Sequence, residues 1–508
     1  MEERRLAVVD LGSNSFRLVV FTWEDGSEWS WWKRTDEIYE PVRVGEGQAE
    51  GGGPLQAAPM ERALETIELF AHFCRATGIR DVRPLATSAI REASNREEFL
   101  RRANVRSGLD VQVLSQAEEA RYGYLAAVNS TTLTDGVALD IGGGSMQLTR
   151  VGERRATTAS SWRLGAVVTT EKFLTDPRVK PKHLKTLRAH VREELSSAPW
   201  VAPGVGDLAG VGGAIRNLAA AAMLAAGMPS YGVQGFRLER GALDDLVEQL
   251  AEATPAERRR IPGIKPERGD VILGAAVVVQ SVMERGGFDT LEVTDAGLRE
   301  GVFFSVLLDD LDPPLFPDVR RASVKNLAAQ YDADTAHTDH VGVLALHLWD
   351  EMAAAGAHPG AREERELLWA AAMLHDIGVA VDYDDHHKHS RYLILNAGLP
   401  GFSPRETALI GQMARYHRKG QPTLGEFEPL MRRGDDALLT RCAAVLRVAE
   451  QLERPRDQSV RRVHVSHPDG RVELRLESDV DVTVPRWAAE REGDIFALAF
   501  GRDLAVVA

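Results

Sequence analysis

The hydrophobic pattern changes character along the chain. Residues 6–21 form an apolar run ending at Asp10, a polar turn containing Gly12, Ser13 and Asn14, and a second apolar run that carries Arg17 near its start. That order predicts a strand, a tight turn and a second strand. Residues 137–149 repeat the plan, with Asp140 closing the first run, Gly142, Gly143, Gly144 and Ser145 in the turn, and Gln147 in the second run. The two aspartates lie 140 − 10 = 130 residues apart. This spacing predicts a duplicated lobe rather than a short-period repeat, with a cleft between the two copies.

Helical periodicity over 60–78, 95–105, 181–196, 241–253 and 269–285 alternates with short apolar runs at 82–86, 111–114 and 290–293, and a Gly/Pro-rich loop spans 45–54. Alternation of this kind is the pattern of an α/β fold. After Pro313 helical periodicity dominates from 320 to about 454, and prolines fall in loops. The predicted organisation is lobe I at 1–125, lobe II at 126–312, an all-α domain at 313–460 and a small α+β domain at 461–508.

Composition narrows the classes. A chain of 508 residues exceeds what one core supports, and 44% hydrophobic with 27% charged residues describes an ordinary globular protein. The apolar stretches are shorter than a membrane span, and Met-Glu-Glu-Arg-Arg leads straight into the first strand. Only Cys74 and Cys442 occur, which excludes a disulfide framework or a cysteine metal site. A cytoplasmic protein without membrane contact is expected. The net charge of −14 argues against nucleic acid as a partner and requires any polyanionic ligand to meet a local cluster of cations.

Two Asp-x-Gly turns suit phosphate chemistry. Successive backbone N–H groups in such turns form a concavity for phosphate oxygens, and an aspartate at the strand end is placed to hold Mg²⁺ or Mn²⁺. The turn at Gly210-Val-Gly212-Gly213-Ala, ahead of an apolar helix over 215–226, offers a further binding loop.

These blocks, with Ala86-Thr-Ser-Ala-Ile-Arg91-Glu-Ala-Ser-Asn95, Glu118-Glu119-Ala-Arg121 and Asp295-Ala-Gly-Leu-Arg-Glu-Gly301, resemble the exopolyphosphatase/guanosine pentaphosphate phosphohydrolase family over about the first 310 residues. The resemblance implies two actin-like (ribonuclease H-like) lobes and a catalytic glutamate in the Glu118-Glu119 block, of which Glu119 is favoured. Guanidinium groups match phosphate oxygens, so Arg91 and Arg17 are expected to carry charge to the transferred group. Asp10, Asp140 and Gln147 form the expected metal site. Gln147 stands where the family usually has an acid, which puts metal affinity in question.

The helical domain holds His337-Thr-Asp-His340, His375-Asp376, His386-His-Lys-His389, Arg415-Tyr-His417-Arg418 and Glu450. The His-Asp pair with His340 35 residues upstream (375 − 340) resembles an HD-type domain, with Glu450 in place of its last aspartate. Two readings stand: a second divalent-metal site at His340, His375, Asp376 and Glu450, or a polyanion groove that adds His389, Arg415, His417 and Arg418, the latter favoured. The expected activity is release of orthophosphate from inorganic polyphosphate, and from guanosine pentaphosphate, by a homodimer. A kinase of the same fold and a catalytically silent sensor are the rivals.

Overall fold

The computed structural model describes residues 3–24, 31–48, 52–176, 178–331, 333–467 and 470–507. Residues 49–51 of the predicted 45–54 loop lie outside that set. The chain forms two compact units, Met1–Val319 and Arg320–Ala508.

The first unit contains two sheets. Strands β1 (Glu3–Leu11), β2 (Phe16–Glu24), β3 (Trp31–Glu40), β4 (Asp81–Ala86) and β5 (Gln112–Val113) are ordered β3-β2-β1-β4-β5. Strands β6 (Gly136–Ile141), β7 (Met146–Gly152), β8 (Arg155–Trp162), β9 (Asp207–Val211), β10 (Arg237–Glu239) and β11 (Thr290–Val293) are ordered β10-β11-β9-β6-β7-β8. In each sheet a three-strand antiparallel meander precedes two strands that run parallel to its first member, and in the second sheet β10 adds an antiparallel edge beside β11. The duplicated α/β topology is that of the actin-like fold. Asp10 pairs with Arg17 across the first hairpin, and Asp140 with Gln147 across the second, so the two turns occupy equivalent places.

Burial explains the elements. In β1 the residues Leu6, Ala7, Val8 and Val9 are all fully buried, as expected for a strand covered on both faces. The helix Ala57–Ala76 buries Ala63, Leu64, Ile67, Phe70 and Cys74 along one stripe. The helix Ile272–Gly286 is apolar around its circumference and runs through the core of the second lobe. The meander strands β3 and β8 have no counterpart in the sequence reading: β3 is largely exposed, and its Lys-Arg-Thr-Asp-Glu centre lacks apolar alternation.

The break between units falls at Val319/Arg320, beyond the expected Pro313. Asn129 explains the shift. Its Nδ2 donates to the Pro314 carbonyl at 3.0 Å and its Oδ1 accepts from the Phe316 N–H at 2.9 Å, while Phe316 stacks on Trp32 at 4.9 Å. The prolines therefore belong to the first unit.

The second unit is helical, with Thr335–Ala354, Arg362–Leu374, His386–Ala397, Pro404–Tyr416 and Asp435–Leu452 as its main helices. The stretch expected as a separate α+β domain is part of this unit. Strands β12 (Arg462–Ser466), β13 (Val472–Glu477) and β14 (Leu504–Val507) form one sheet, and Ile495 packs into a cluster with Ala443 and Ala444. Among the described residues no helix is long and apolar enough to cross a membrane.

Candidate active site

The two Asp-x-Gly turns meet in the first unit around a cavity of about 140 Å³. The strands end where their backbone turns out of the sheet, which leaves Asp10 and Asp140 facing the opening. Gly12, Ser13 and Asn14 line it from one hairpin, and Gly142 to Ser145 from the other. The approach is close: a Cβ on Gly144 would stand 2.2 Å from Ser88 Oγ and 3.0 Å from Ser13 Oγ, so only glycine fits there. Gly123, on the helix Gln116–Val128, allows an equally close approach, because a Cβ there would stand 2.8 Å from Asp140 Oδ2. Gly212 and Gly213 complete the floor of the cavity.

Glu118 and Glu119 separate by function in the helix. Glu118 accepts from the N–H (2.8 Å) and Oγ (2.7 Å) of Ser115 in a capping box at the helix start. Glu119 lines the cavity and is only 7% exposed. Its Oε1 accepts from Ser145 Oγ at 2.9 Å, and its Oε2 accepts from Arg91 Nη1 at 2.8 Å.

Arg91 and Gln147 depart from expectation. Arg91 is not among the residues lining the cavity; its Nη1 also donates to the Leu114 carbonyl at 2.9 Å, so this guanidinium holds the glutamate from behind. Gln147, 2% exposed, is likewise absent from the lining. Its amide donates to Ser145 Oγ at 3.0 Å and to Ser161 Oγ at 3.4 Å, so it anchors Ser145 from the position paired with Asp140 across the hairpin.

Positive charge at the cavity comes from four arginines. Arg17 was expected; Arg216, Arg268 and Arg299 were not. Arg17 donates to Glu37 at 2.8 Å and lies over the Tyr39 ring at 4.6 Å. Arg216 donates to the Asp295 carbonyl at 2.9 Å. Arg299 lies 3.9 Å from Asp10 Oδ2, and its Nε and Nη1 are buried without a hydrogen-bond partner. Burial, then the neighbouring charges of Arg216 and Arg17, pushes Arg268 down to about 10. Cations held this close with unfilled donors are arranged for a multiply charged anion. Their sequence signal was present but weak: Arg216 lies three residues after the Gly212-Gly213 turn, and Arg299 sits inside the Asp295–Gly301 block.

Burial raises the Asp10 carboxyl, against the opposing pull of Arg299 and Arg17. It pushes Asp140 up to about 7, with the charge of Glu119 adding to the effect. Two half-buried carboxylates at the cavity, both held above the usual carboxylate range, are suitable donors for a hard divalent cation such as Mg²⁺.

A second cluster lies in the second unit. His375, Asp376, His417 and Glu450 converge there, and they are joined by His337 and His386. His340 is not a member. Its Nε2 faces the Val460 carbonyl at 2.8 Å and Glu453 at 3.5 Å, because His337 is the residue of that helix face turned toward Glu450, at 3.0 Å. His389 also stands apart from the cluster. Arg415 lies over the Tyr416 ring, whereas Arg418 lies over Tyr383 and lines the adjoining cavity of about 400 Å³. Burial opposes charge on His375, but the carboxylates of Asp376 and Glu450 outweigh it and raise the imidazole to about 9. Burial and the charge on His375 push His417 down to about 3.

Comparison with known proteins agrees with this architecture. The Ppx/GppA phosphatase family model matches residues 34–310, and the model of Ppx/GppA phosphatase domain III matches 319–486. A Ppx/GppA family member from Aquifex aeolicus is 29% identical with a TM-score of 0.53, over 61% of this chain and 99% of that one. An exopolyphosphatase-like protein is 27% identical with a TM-score of 0.54, over 60% of this chain and 100% of that one. An exopolyphosphatase from Cytophaga hutchinsonii, 22% identical with a TM-score of 0.55 over 61% and 99%, bears on the fold alone. With the duplicated lobes, the paired glycine turns and a family match across more than half its length, the chain belongs to the Ppx/GppA phosphatase family.

Proposed function

We propose that the first-unit cavity hydrolyses the terminal phosphoanhydride of inorganic polyphosphate and releases orthophosphate. The observation that carries this reading is the convergence of Arg17, Arg216, Arg268 and Arg299 on a cavity that also holds Glu119. A chain carrying a charge on every phosphate is the class of ligand that uses four guanidinium groups at once. The terminal phosphoryl group lies between the Ser13–Asn14 and Gly143–Ser145 turns, whose N–H groups receive its oxygens. Glu119, fixed by Arg91 and Ser145, takes the proton of the attacking water as the bridging P–O bond breaks toward the shortened chain. Asp10 and Asp140 would hold Mg²⁺, which supplies charge neutralisation at the phosphates. Guanosine pentaphosphate ends in the same anhydride and is the second substrate of this reading. The test compares phosphate release from long polyphosphate, guanosine pentaphosphate and ATP, with and without Mg²⁺. Fastest release from polyphosphate is expected; ATP as the best substrate would overturn the proposal.

A further inference from the structure

In a regular strand, residues three apart point to opposite faces. On β3, however, Arg34 Nη1 reaches Glu37 Oε2 at 3.2 Å. A bulge makes this contact possible. Val20 of β2 stands opposite Asp36 and the next residue, Phe21, opposite Arg34, so Thr35 is an extra residue without a partner of its own. Its Oγ1 lies 2.8 Å from Oγ1 of the buried Thr22, which fixes the bulge in place. Beyond it the opposite pairs are Phe21 with Arg34, Val19 with Glu37 and Arg17 with Tyr39. The bulge therefore brings Arg34 to the face of the sheet that carries Arg17 into the active-site cavity.

Glu37 links three guanidinium groups on that face. Arg17 lies 2.8 Å from it, Arg34 3.2 Å and Arg299 3.7 Å. Side-chain exposure rises from 8% at Arg299 through 19% at Arg17 to 54% at Arg34, so the row runs outward from the cavity to solvent. Arg299 and Arg17 line the cavity, and Arg34 stands outside it. Loss of solvent raises the Asp295 carboxyl against the charges of Arg216 and Arg34, which places Arg34 near the residue whose carbonyl holds Arg216. The one carboxylate keeps the row together against mutual repulsion. It leaves most donors unfilled, because a guanidinium has five N–H groups. Exposed ion pairs stabilise a fold little, so the Arg34–Glu37 pair is a poor reason for bulging an edge strand.

We infer that Arg34 is an outer subsite for the polyphosphate chain, binding a phosphate further from the cleaved end than those met by Arg299 and Arg17. This rests on the reading of the first cavity as a polyphosphate hydrolase. Arg34 takes no part in bond breaking: it holds the part of the chain that is retained, and it favours substrates long enough to reach it. Glu37 is the positioning residue that sets the spacing of the row.

The test compares KM for long polyphosphate and for tripolyphosphate in the full chain carrying Arg34→Ala, Arg34→Lys or Lys33→Ala. Lys33 stands opposite Thr22, on the other face of the strand, so its loss removes the same charge without touching the row. Arg34→Ala is expected to raise KM for long chains about 5-fold, the upper end for an exposed ionic contact, with kcat unchanged. Its KM should depend less steeply on salt, and KM for tripolyphosphate should stay the same. Arg34→Lys should recover most of the loss, and Lys33→Ala should have no effect. An unchanged KM for long chains in Arg34→Ala overturns the subsite, as does an equal rise for both substrates or an equal effect of Lys33→Ala. Equilibrium binding of long polyphosphate to Glu119→Gln protein, with and without Arg34→Ala, separates this inference from the one beneath it. Binding weakened about 5-fold by Arg34→Ala, in a protein whose wild type releases no phosphate, would overturn the hydrolase reading and uphold the subsite.

Discussion

Arg91 Nη1 donates to Glu119 Oε2 at 2.8 Å, and both side chains are largely buried, so the arginine fixes a carboxylate that lines the cavity and does not line it itself. Arg91 and Ser145 approach different oxygens of Glu119, which leaves the carboxylate one orientation. Glu119→Gln should lower kcat for polyphosphate by about 100-fold or more while KM changes little, the scale of a lost general base. Arg91→Ala should also lower kcat, because the glutamate loses its anchor. Steady-state kinetics of the two variants checks both, and near-normal kcat in a folded Glu119→Gln protein would remove Glu119 from the base role.

Arg268 and Arg216 line the cavity without a carboxylate bonded to their guanidinium groups. Arg268→Ala is expected to raise KM for polyphosphate about 10-fold, the scale of one charge-assisted hydrogen bond. Its KM should also depend less steeply on salt, since one fixed cation no longer displaces counterions. KM measured across a salt series decides this; an unchanged slope would place Arg268 outside the substrate path.

Ser145 has one hydroxyl hydrogen, and it goes to Glu119 while Gln147 donates to the same oxygen. Gln147→Glu replaces the donor by a second acceptor, which competes for that hydrogen. The expected result is a fall in kcat of about 10-fold, from the 1.5–3 kcal/mol typical of a hydrogen bond to a charged group. The apparent Mg²⁺ requirement should stay the same because the side chain does not line the cavity. A tighter Mg²⁺ requirement in the variant would show that position 147 reaches the metal.

Asp140 titrates at about 7 in the fold, against roughly 3.9 for an unfolded aspartate. A carboxyl whose pKa is raised on folding favours the native state when protonated, so this contribution is complete below the unfolded value and is lost as pH rises through about 7. In metal-free protein, Asp140→Asn should therefore raise Tm more at pH 8 than at pH 4, and Mg²⁺ should narrow the gap by stabilising the wild-type carboxylate. Thermal unfolding of both proteins at the two pH values tests the sign, and a Tm difference independent of pH would contradict it.

What the sequence determined by itself were the features carried by local rules. Alternating apolar runs around Asp10 and Asp140 specify two hairpins, and the 3.6-residue stripe of Ala57–Ala76 specifies its helix, because burial period and backbone geometry are coupled within each segment. The Ser115–Glu118 capping box is equally local, and it marks the helix start that carries Glu119. Tertiary structure alone decided which side chains meet. Arg216, Arg268 and Arg299 come from three separate segments, and no periodicity links them until the sheets bring their ends to one cavity. The strand β3 was illegible because its stability comes from pairing with β2, and its exposed polar centre carries no apolar signal. His337 and His340 lie one helical turn apart, and spacing along the chain pointed to His340; helix rotation set by packing instead turned His337 to Glu450 and His340 to Val460.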